Sequence, residues 1–495
     1  MNKWTCILRT FVILLLSASA AEAQLRPASD SARQQLAPFA ESLRGFLARE
    51  EARGKGAGIN ANGMNIRTDA VLVIRGDEIL FEEYFNGYGP DMRHRVWSIG
   101  KSITNSFLAM AVKEGRVSLS DSLCKYFATP ELSAPSRFDH CSITIENIAR
   151  WSSGLDWSET YTVFSPRKSS IVAMLYGEGR ADMPAFTWAH DFRGASGDTF
   201  TYSSGDTSLI WGILRKVYTP EEYENLPWAK LFDPLGMQSV AVSRDEAGNF
   251  LGASHFLMSP RDLAKFGRFI LGGGNLVGGD TFFPAGWSEW MRTLSPAFLA
   301  QQPAGSDKLD TPAGAQWWLN IAVPQARIAK PWPSGPDDMF VGLGVFGQTL
   351  FLIPSKNAIV IRLSHDLVGG FDRDGLLREA MAIIDAKPPE TLANQAPELV
   401  VEQEFQDLES LKRTYDGTSF SQLLANYFAK ELCTCLFQIG QSEEVCRSDV
   451  KYTSLAIRYE ILGDTKEVAT RNFSARARAK LVDDRSGCKI IEPAI

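Results

Sequence analysis

Two pairs of strand-like runs, set far apart in the chain, constrain the fold more than any other feature. Ala70-Val71-Leu72-Val73-Ile74 and Ile79-Leu80-Phe81-Glu82-Glu83-Tyr84-Phe85 flank the turn Arg75-Gly76-Asp77-Glu78. Thr349-Leu350-Phe351-Leu352-Ile353 and Ala358-Ile359-Val360-Ile361-Arg362-Leu363 flank Pro354-Ser355-Lys356-Asn357. β-branched and aromatic runs about a short turn predict a hairpin at each place. Between them, from about 120 to 340, helical segments alternate with loops rich in Gly, Pro, Ser and aromatics. Strands at both ends with helices between predict an α+β body: an antiparallel sheet assembled from both ends, flanked by helices, with a helical lobe inserted. An amphipathic helix over 28–53 opens this body and one over 372–384 closes it. Lys387-Pro388-Pro389-Glu390 reads as a linker. At 495 residues the chain exceeds one average domain. The expected division is a large body over 24–390 and a small cysteine-containing module over 391–495.

The first residues predict an exported protein. Lys3 and Arg9 precede an apolar run from Phe11 to Leu16, and small residues end at Ala21-Glu22-Ala23. This is the pattern of a secretory leader, residues 1–23, cut after Ala23. The apolar run is too short for a membrane anchor, and Cys6 lies ahead of it, where no lipid attachment is expected. A periplasmic or secreted location follows. Losing Lys3, Arg9 and Glu22 with the leader takes the formal charge from −7 to −8. An acidic chain without a basic stripe excludes nucleic acid as an expected partner.

Six cysteines remain after cleavage, an even number that suits disulfides in an oxidising compartment. Cys124 and Cys141, remote from the rest, are expected to pair. Cys433, Cys435, Cys446 and Cys488 are expected to form two more bridges with connectivity left open. The spacing fits no zinc site, so neither a metal nor a cofactor is expected.

The chemistry centres on Trp97-Ser98-Ile99-Gly100-Lys101-Ser102. Gly100-Lys101-Ser102 imitates the end of a phosphate loop, but Arg95 stands where the first glycine is needed. Gly342-Leu343-Gly344-Val345-Phe346-Gly347 matches a dinucleotide fingerprint letter for letter, yet a strand follows where a helix should offer its N-terminus. The remaining reading is Ser-x-x-Lys. Ser122, Ser165, Ser448 and Ser486 also have Lys three residues on. Only Ser98 opens a strongly apolar helix, with Ile103, Phe107, Leu108, Ala111 and Val112 on one face, where residues three apart are neighbours. A serine hydroxyl needs a base, and a buried, neutral lysine can serve. Taken alone, a capping serine and a solvated lysine explain the pair as well. His94, His140, His190, His255 and His365 invite a triad, but no G-x-S-x-G elbow occurs. These histidines read as surface or supporting residues. Trp287, Trp290, Trp317 and Trp318 read as core.

Further motifs follow in order. Phe200-Thr201-Tyr202-Ser203-Ser204-Gly205-Asp206-Thr207 precedes an apolar helix, and Ile143–Ile148 leads into Ser153-Gly154-Leu155-Asp156-Trp157. Leu231–Met237 and Ser259–Gly267 come later. With Ser98 and Lys101, this ordered set resembles the serine β-lactamase and penicillin-binding-protein superfamily over about 65–385. The likeness is to its class C-like branch, which includes carboxylesterases and 6-aminohexanoate-dimer hydrolase. The resemblance implies a DD-peptidase/β-lactamase-like fold and hydrolysis of a small ester or amide through an acyl-enzyme. It makes Ser98 the nucleophile, Lys101 its base and Tyr202 the proton-transfer partner. It sets Ser204 where the family has Asn and Gly342-Leu343-Gly344 on the family's third motif, whose cation is missing. That absence argues against β-lactams and cell-wall peptides as preferred substrates. The amides of Ser98 and Val345 become the oxyanion hole, and Ser204, Gly344 and Tyr161 the substrate contacts. The alternatives are a true β-lactamase or D-alanyl-D-alanine peptidase, and a non-catalytic binding protein on a hydrolase scaffold.

Overall fold

A computed structural model describes residues 25–56, 66–130, 138–160, 168–275, 281–300, 311–366, 370–386, 414–415, 417–450, 457–472 and 475–491. The expected leader, the linker at 387–390 and Tyr161 lie outside them. The main sheet has seven strands: β1 (Arg26–Pro27), β2 (Thr68–Arg75), β3 (Glu78–Tyr84), β7 (Trp318–Leu319), β8 (Phe340–Gly344), β9 (Gln348–Ile353) and β10 (Ala358–Ser364). Their spatial order is β1-β3-β2-β10-β9-β8-β7. The two hairpins meet where β2 pairs antiparallel with β10, Leu72 opposite Ile361. One edge departs from the antiparallel expectation: β1 runs parallel to β3. Two residues including a proline carry no strand signal, and Pro27 is tolerated there because an edge strand has one side without a ladder.

Alternation divides the sheet between two layers. Leu72, Ile74, Leu350, Leu352, Ile359 and Ile361 face one core, and Val71, Val73, Phe81, Phe351, Ile353 and Val360 face another. Both faces are covered, so β2 reads as a continuous apolar run. The second layer holds α1 (Asp30–Gly56), which brings Phe46 and Leu47. The first layer begins with α2 (Ile99–Lys113), and the inserted lobe adds α3 (Ile145–Ala149), α4 (Ser170–Tyr176), α5 (Met183–Trp188), α6 (Ser204–Val217) and α7 (Pro220–Pro227). Next to this layer lies α8 (Pro260–Leu271), whose Gly267 packs on Leu352 and Ile359. The body closes with α9 (Arg373–Asp385), which packs Leu376, Leu377, Ala380 and Ile383 beside α1. A second sheet of β4 (His94–Arg95), β5 (Ala241–Val242) and β6 (Phe256–Met258) has order β4-β6-β5.

The C-terminal residues form α10 (Phe420–Cys433), α11 (Glu443–Asp449) and an antiparallel sheet of β11 (Arg458–Leu462), β12 (Glu467–Asn472), β13 (Ala475–Asp483) and β14 (Gly487–Ile491). They have a core of their own around Phe428, Leu432, Val468 and Ala479. Disulfides join Cys433 to Cys488 and Cys435 to Cys446, and Cys124 is bonded to Cys141 in the body. This module also grips the body: Arg93 meets Asp484 at 2.6 Å, Arg67 meets Asp449 at 2.7 Å, and Tyr176 donates to Glu431 at 2.8 Å. Among the described residues no helix is long and apolar enough to cross a membrane.

Candidate active site

Ser98 precedes the first turn of α2, and its side chain makes no capping bond. Instead its Oγ accepts from Lys101 Nζ at 2.9 Å. Lys101 is 1% exposed, so the solvated-lysine reading does not hold. The helix that carries both is held close to a neighbouring loop: a Cβ on Gly100 would lie 2.6 Å from the carbonyl oxygen of Gly252. The phosphate-loop lookalike is therefore a packing requirement. Beyond it, Lys101 Nζ approaches the Ala253 carbonyl at 3.4 Å.

Tyr202 lies at the start of α6, where Ser203 caps the helix by accepting from the Asp206 amide at 2.9 Å. Its ring centroid is 4.6 Å from Lys101 Nζ, within cation–π range. Trp151 and Trp318 pack on that ring at 4.7 and 5.1 Å between centroids. Trp317 is core, as read from the sequence, whereas Trp318 is half-buried against Tyr202.

One residue of this cluster carries no signal in the sequence. Glu159 is 4% exposed, and its Oε1 is 3.6 Å from Lys101 Nζ. It accepts from Ser204 Oγ at 2.5 Å, from the Ser204 amide at 2.9 Å and from Trp157 Nε1 at 2.6 Å. Ser204, read as a substrate contact, is buried and spends its hydroxyl on this carboxylate. A buried carboxylate with three donors and an ammonium neighbour is the arrangement that keeps such a group affordable in a dry interior. No local spacing links Glu159 to Lys101. The hint was Ser204 itself, a donor in want of an acceptor where the family has an amide.

The third motif runs alongside the segment that bears Ser98. A Cβ on Gly344 would lie 2.6 Å from the Val96 carbonyl oxygen, and one on Gly342 would sit 3.4 Å from Ile99 and 3.5 Å from Ser102. No cation stands at Gly342. After β8 the chain turns through Val345 to Phe346, which has φ 63° and a ring 5.4 Å from that of Trp97. The Val345 backbone is thus carried past the segment that bears Ser98.

The histidines correct the reading from sequence. None is at the surface: His94, His140, His190, His255 and His365 are all buried. His94 meets Asp69 at 3.1 Å and His190 meets Tyr415 at 2.7 Å. Burial pulls His140 and His365 down, and burial with the nearby Lys430 charge takes His255 to about 4. All five support the structure from inside it.

The beta-lactamase family model matches residues 57–383. The chain belongs to the beta-lactamase family. Over 307 residues it is 28% identical to the 6-aminohexanoate-dimer hydrolase of Paenarthrobacter ureafaciens, spanning 60% of this chain and 72% of that one. A Bacillus anthracis protein provisionally named for the same activity superposes with a TM-score of 0.52 at 18% identity, covering 65% of this chain and 81% of its own. A penicillin-binding-protein homologue from Caulobacter crescentus superposes at 0.50 and 14% identity, over 70% and 97%. These two structures share the fold. Ser98, Lys101, Glu159 and Tyr202 all lie within the matched residues.

Behind this cluster Asp206 is fully buried, accepts from Ser153 Oγ at 2.7 Å, and leaves Oδ2 without a partner among the described residues. Burial, reinforced by the Glu159 charge, raises it to about 7. The folded protein therefore holds a proton there that the unfolded chain gives up near 4, and the associated stability is lost as pH rises toward 7. That loss is worth roughly 4 kcal/mol at 1.36 kcal/mol per pH unit. Asp206→Asn imitates the protonated form at every pH but carries an unpaired amide, a constant cost of about 1 to 3 kcal/mol. Its stability relative to wild type should therefore rise by about 4 kcal/mol between pH 4 and 7 and then level off. Chemical denaturation at four pH values checks this, and a flat difference would refute it.

Proposed function

We propose that this protein is a serine hydrolase that cleaves a small ester or amide through an acyl-enzyme on Ser98. The observation that carries the reading is a buried Lys101 amine 2.9 Å from the Ser98 hydroxyl, with Glu159 Oε1 behind it at 3.6 Å. Lys101 Nζ first hands a proton to Glu159, and the neutral amine so formed takes the Ser98 proton as Oγ attacks the carbonyl carbon. Lys101 is then an ammonium again, and Glu159 holds the extra proton. The amides of Ser98 and Val345 hold the oxyanion. On collapse the leaving oxygen or nitrogen takes a proton from Nζ with help from the Tyr202 hydroxyl, and Glu159 returns its proton to Lys101. Water then attacks the acyl carbon by the same relay, releasing the acid and restoring Ser98.

The named activity of the Paenarthrobacter relative supports an amide between linear amino acids as one substrate class. Gly342, where the family places a cation, speaks against substrates that need a carboxylate anchored there. A chromogenic cephalosporin should turn over slowly, if at all. Three disulfides support a periplasmic or secreted location.

Acid quenching during turnover of a short-chain aryl ester should trap the acyl group on the peptide that contains Ser98. Ser98→Ala should stay folded, form no adduct and react with no fluorophosphonate. Turnover by Ser98→Ala would overturn the assignment, and a wild-type protein inert to the phosphonate would favour a binding protein instead.

A further inference from the structure

Glu431 of the C-terminal module contacts the segments that flank Ser98 and back Lys101. It is 2% exposed, forms an ion pair with Arg95, stands 3.6 Å from His255 Nε2 and accepts from the Tyr176 hydroxyl at 2.8 Å. Two routes lead from it to the chemistry. Along the first, the Arg95 guanidinium sits over the Trp97 ring at 4.8 Å, and Trp97 immediately precedes Ser98. Trp97 has φ 48°, a left-handed conformation that a bulky residue keeps only when its surroundings impose it. Arg95, His255 at 5.8 Å and Phe346 at 5.4 Å enclose that ring. Along the second, His255 belongs to the turn Ala253-Ser254-His255, whose Ala253 carbonyl receives Lys101 Nζ at 3.4 Å. The Val96 amide also donates to the Phe256 carbonyl at 3.1 Å, so the two routes are tied together.

We infer that Glu431 is a positioning residue for Ser98 and Lys101, which makes the C-terminal module part of the catalytic apparatus. This rests on the nucleophile assigned above. One carboxylate answers both Arg95 and His255, and these fix the strained residue before the nucleophile and the turn behind its base. Burial alone would raise Glu431, but Arg95 and His255 outweigh it and hold the carboxyl at about 2. The segment beside it is pinned by both disulfides of the module, since Cys433 and Cys435 follow Glu431 directly.

Glu431→Gln keeps the size of the side chain and removes the charge. Its kcat on an aryl ester and its fluorophosphonate labelling rate should both fall roughly 10- to 100-fold, with KM within about twofold of wild type. Glu431→Asp, which keeps the charge on a shorter arm, should recover part of both and serves if the glutamine variant does not fold. Arg93→Met cuts another tether between module and body, the Arg93 to Asp484 ion pair, and should leave both rates unchanged. Wild-type rates in Glu431→Gln, or equal losses in Arg93→Met, would overturn the inference. If Ser98→Ala still turns over substrate, the nucleophile assignment fails. If Ser98→Ala is inert while Glu431→Gln matches wild type, only the positioning role fails.

Discussion

Lys101→Met should lower kcat on an aryl ester by roughly 10³- to 10⁴-fold, at the upper end of what one acid–base group contributes. It should also weaken the fold. The substitution keeps the volume of a fully buried side chain and deletes the charge that faces Glu159. Glu159 would keep Ser204 and Trp157 as donors but would lose its counter-charge, and breaking one side of a buried pair costs about 3 to 5 kcal/mol. Adding Glu159→Gln removes the second charge. The double variant should therefore recover most of the lost stability and none of the lost activity. Thermal unfolding and initial rates on the four proteins of this cycle check both halves. A single variant with undiminished turnover would show that Lys101 is not the base.

Breaking the Cys433 to Cys488 bridge should have the next largest effect. It closes a loop of 55 residues, worth about 4 kcal/mol in the chain-entropy model. In Cys433→Ala/Cys488→Ala the end of α10 is freed from β14, and Glu431, two residues before Cys433, loses its fixed place. The module should then be cut by protease at concentrations that leave wild type intact, and phosphonate labelling of Ser98 should slow. The Cys124 to Cys141 bridge closes a loop of 17 residues, worth about 3 kcal/mol in the same model, and is remote from Ser98 in the contacts it makes. Cys124→Ala/Cys141→Ala should lose stability yet label at the wild-type rate. Equal slowing in both would mean that the module has no particular hold on the site.

What the sequence made legible was local. Ser98 and Lys101 share a face because they are three apart on one helix, and β2, β3, β9 and β10 announce themselves as dense β-branched and aromatic runs. Tyr202 was found through a motif whose tyrosine lies next to a helix cap. Glu159 was not found because nothing in its neighbourhood distinguishes a carboxylate that meets Lys101 from one on a solvated loop. The same blindness applies to Glu431 and Arg95, an ion pair formed across the whole body. Of the two places read for the histidines, surface or supporting, only the second holds, because each ring is taken inside by neighbours that hydropathy does not reveal. The edge strand β1 is too short to have any period.

The central pairing of β2 with β10 has a consequence for biosynthesis. During synthesis the early hairpin must wait for a partner encoded nearly at the end of the body, and the module that grips Arg95 emerges later still. A nascent chain therefore has no assembled reacting centre, and hydrolysis begins only after the ribosome has finished. Under the proposed export, that order of events would keep the proposed hydrolase silent inside the cell that makes it.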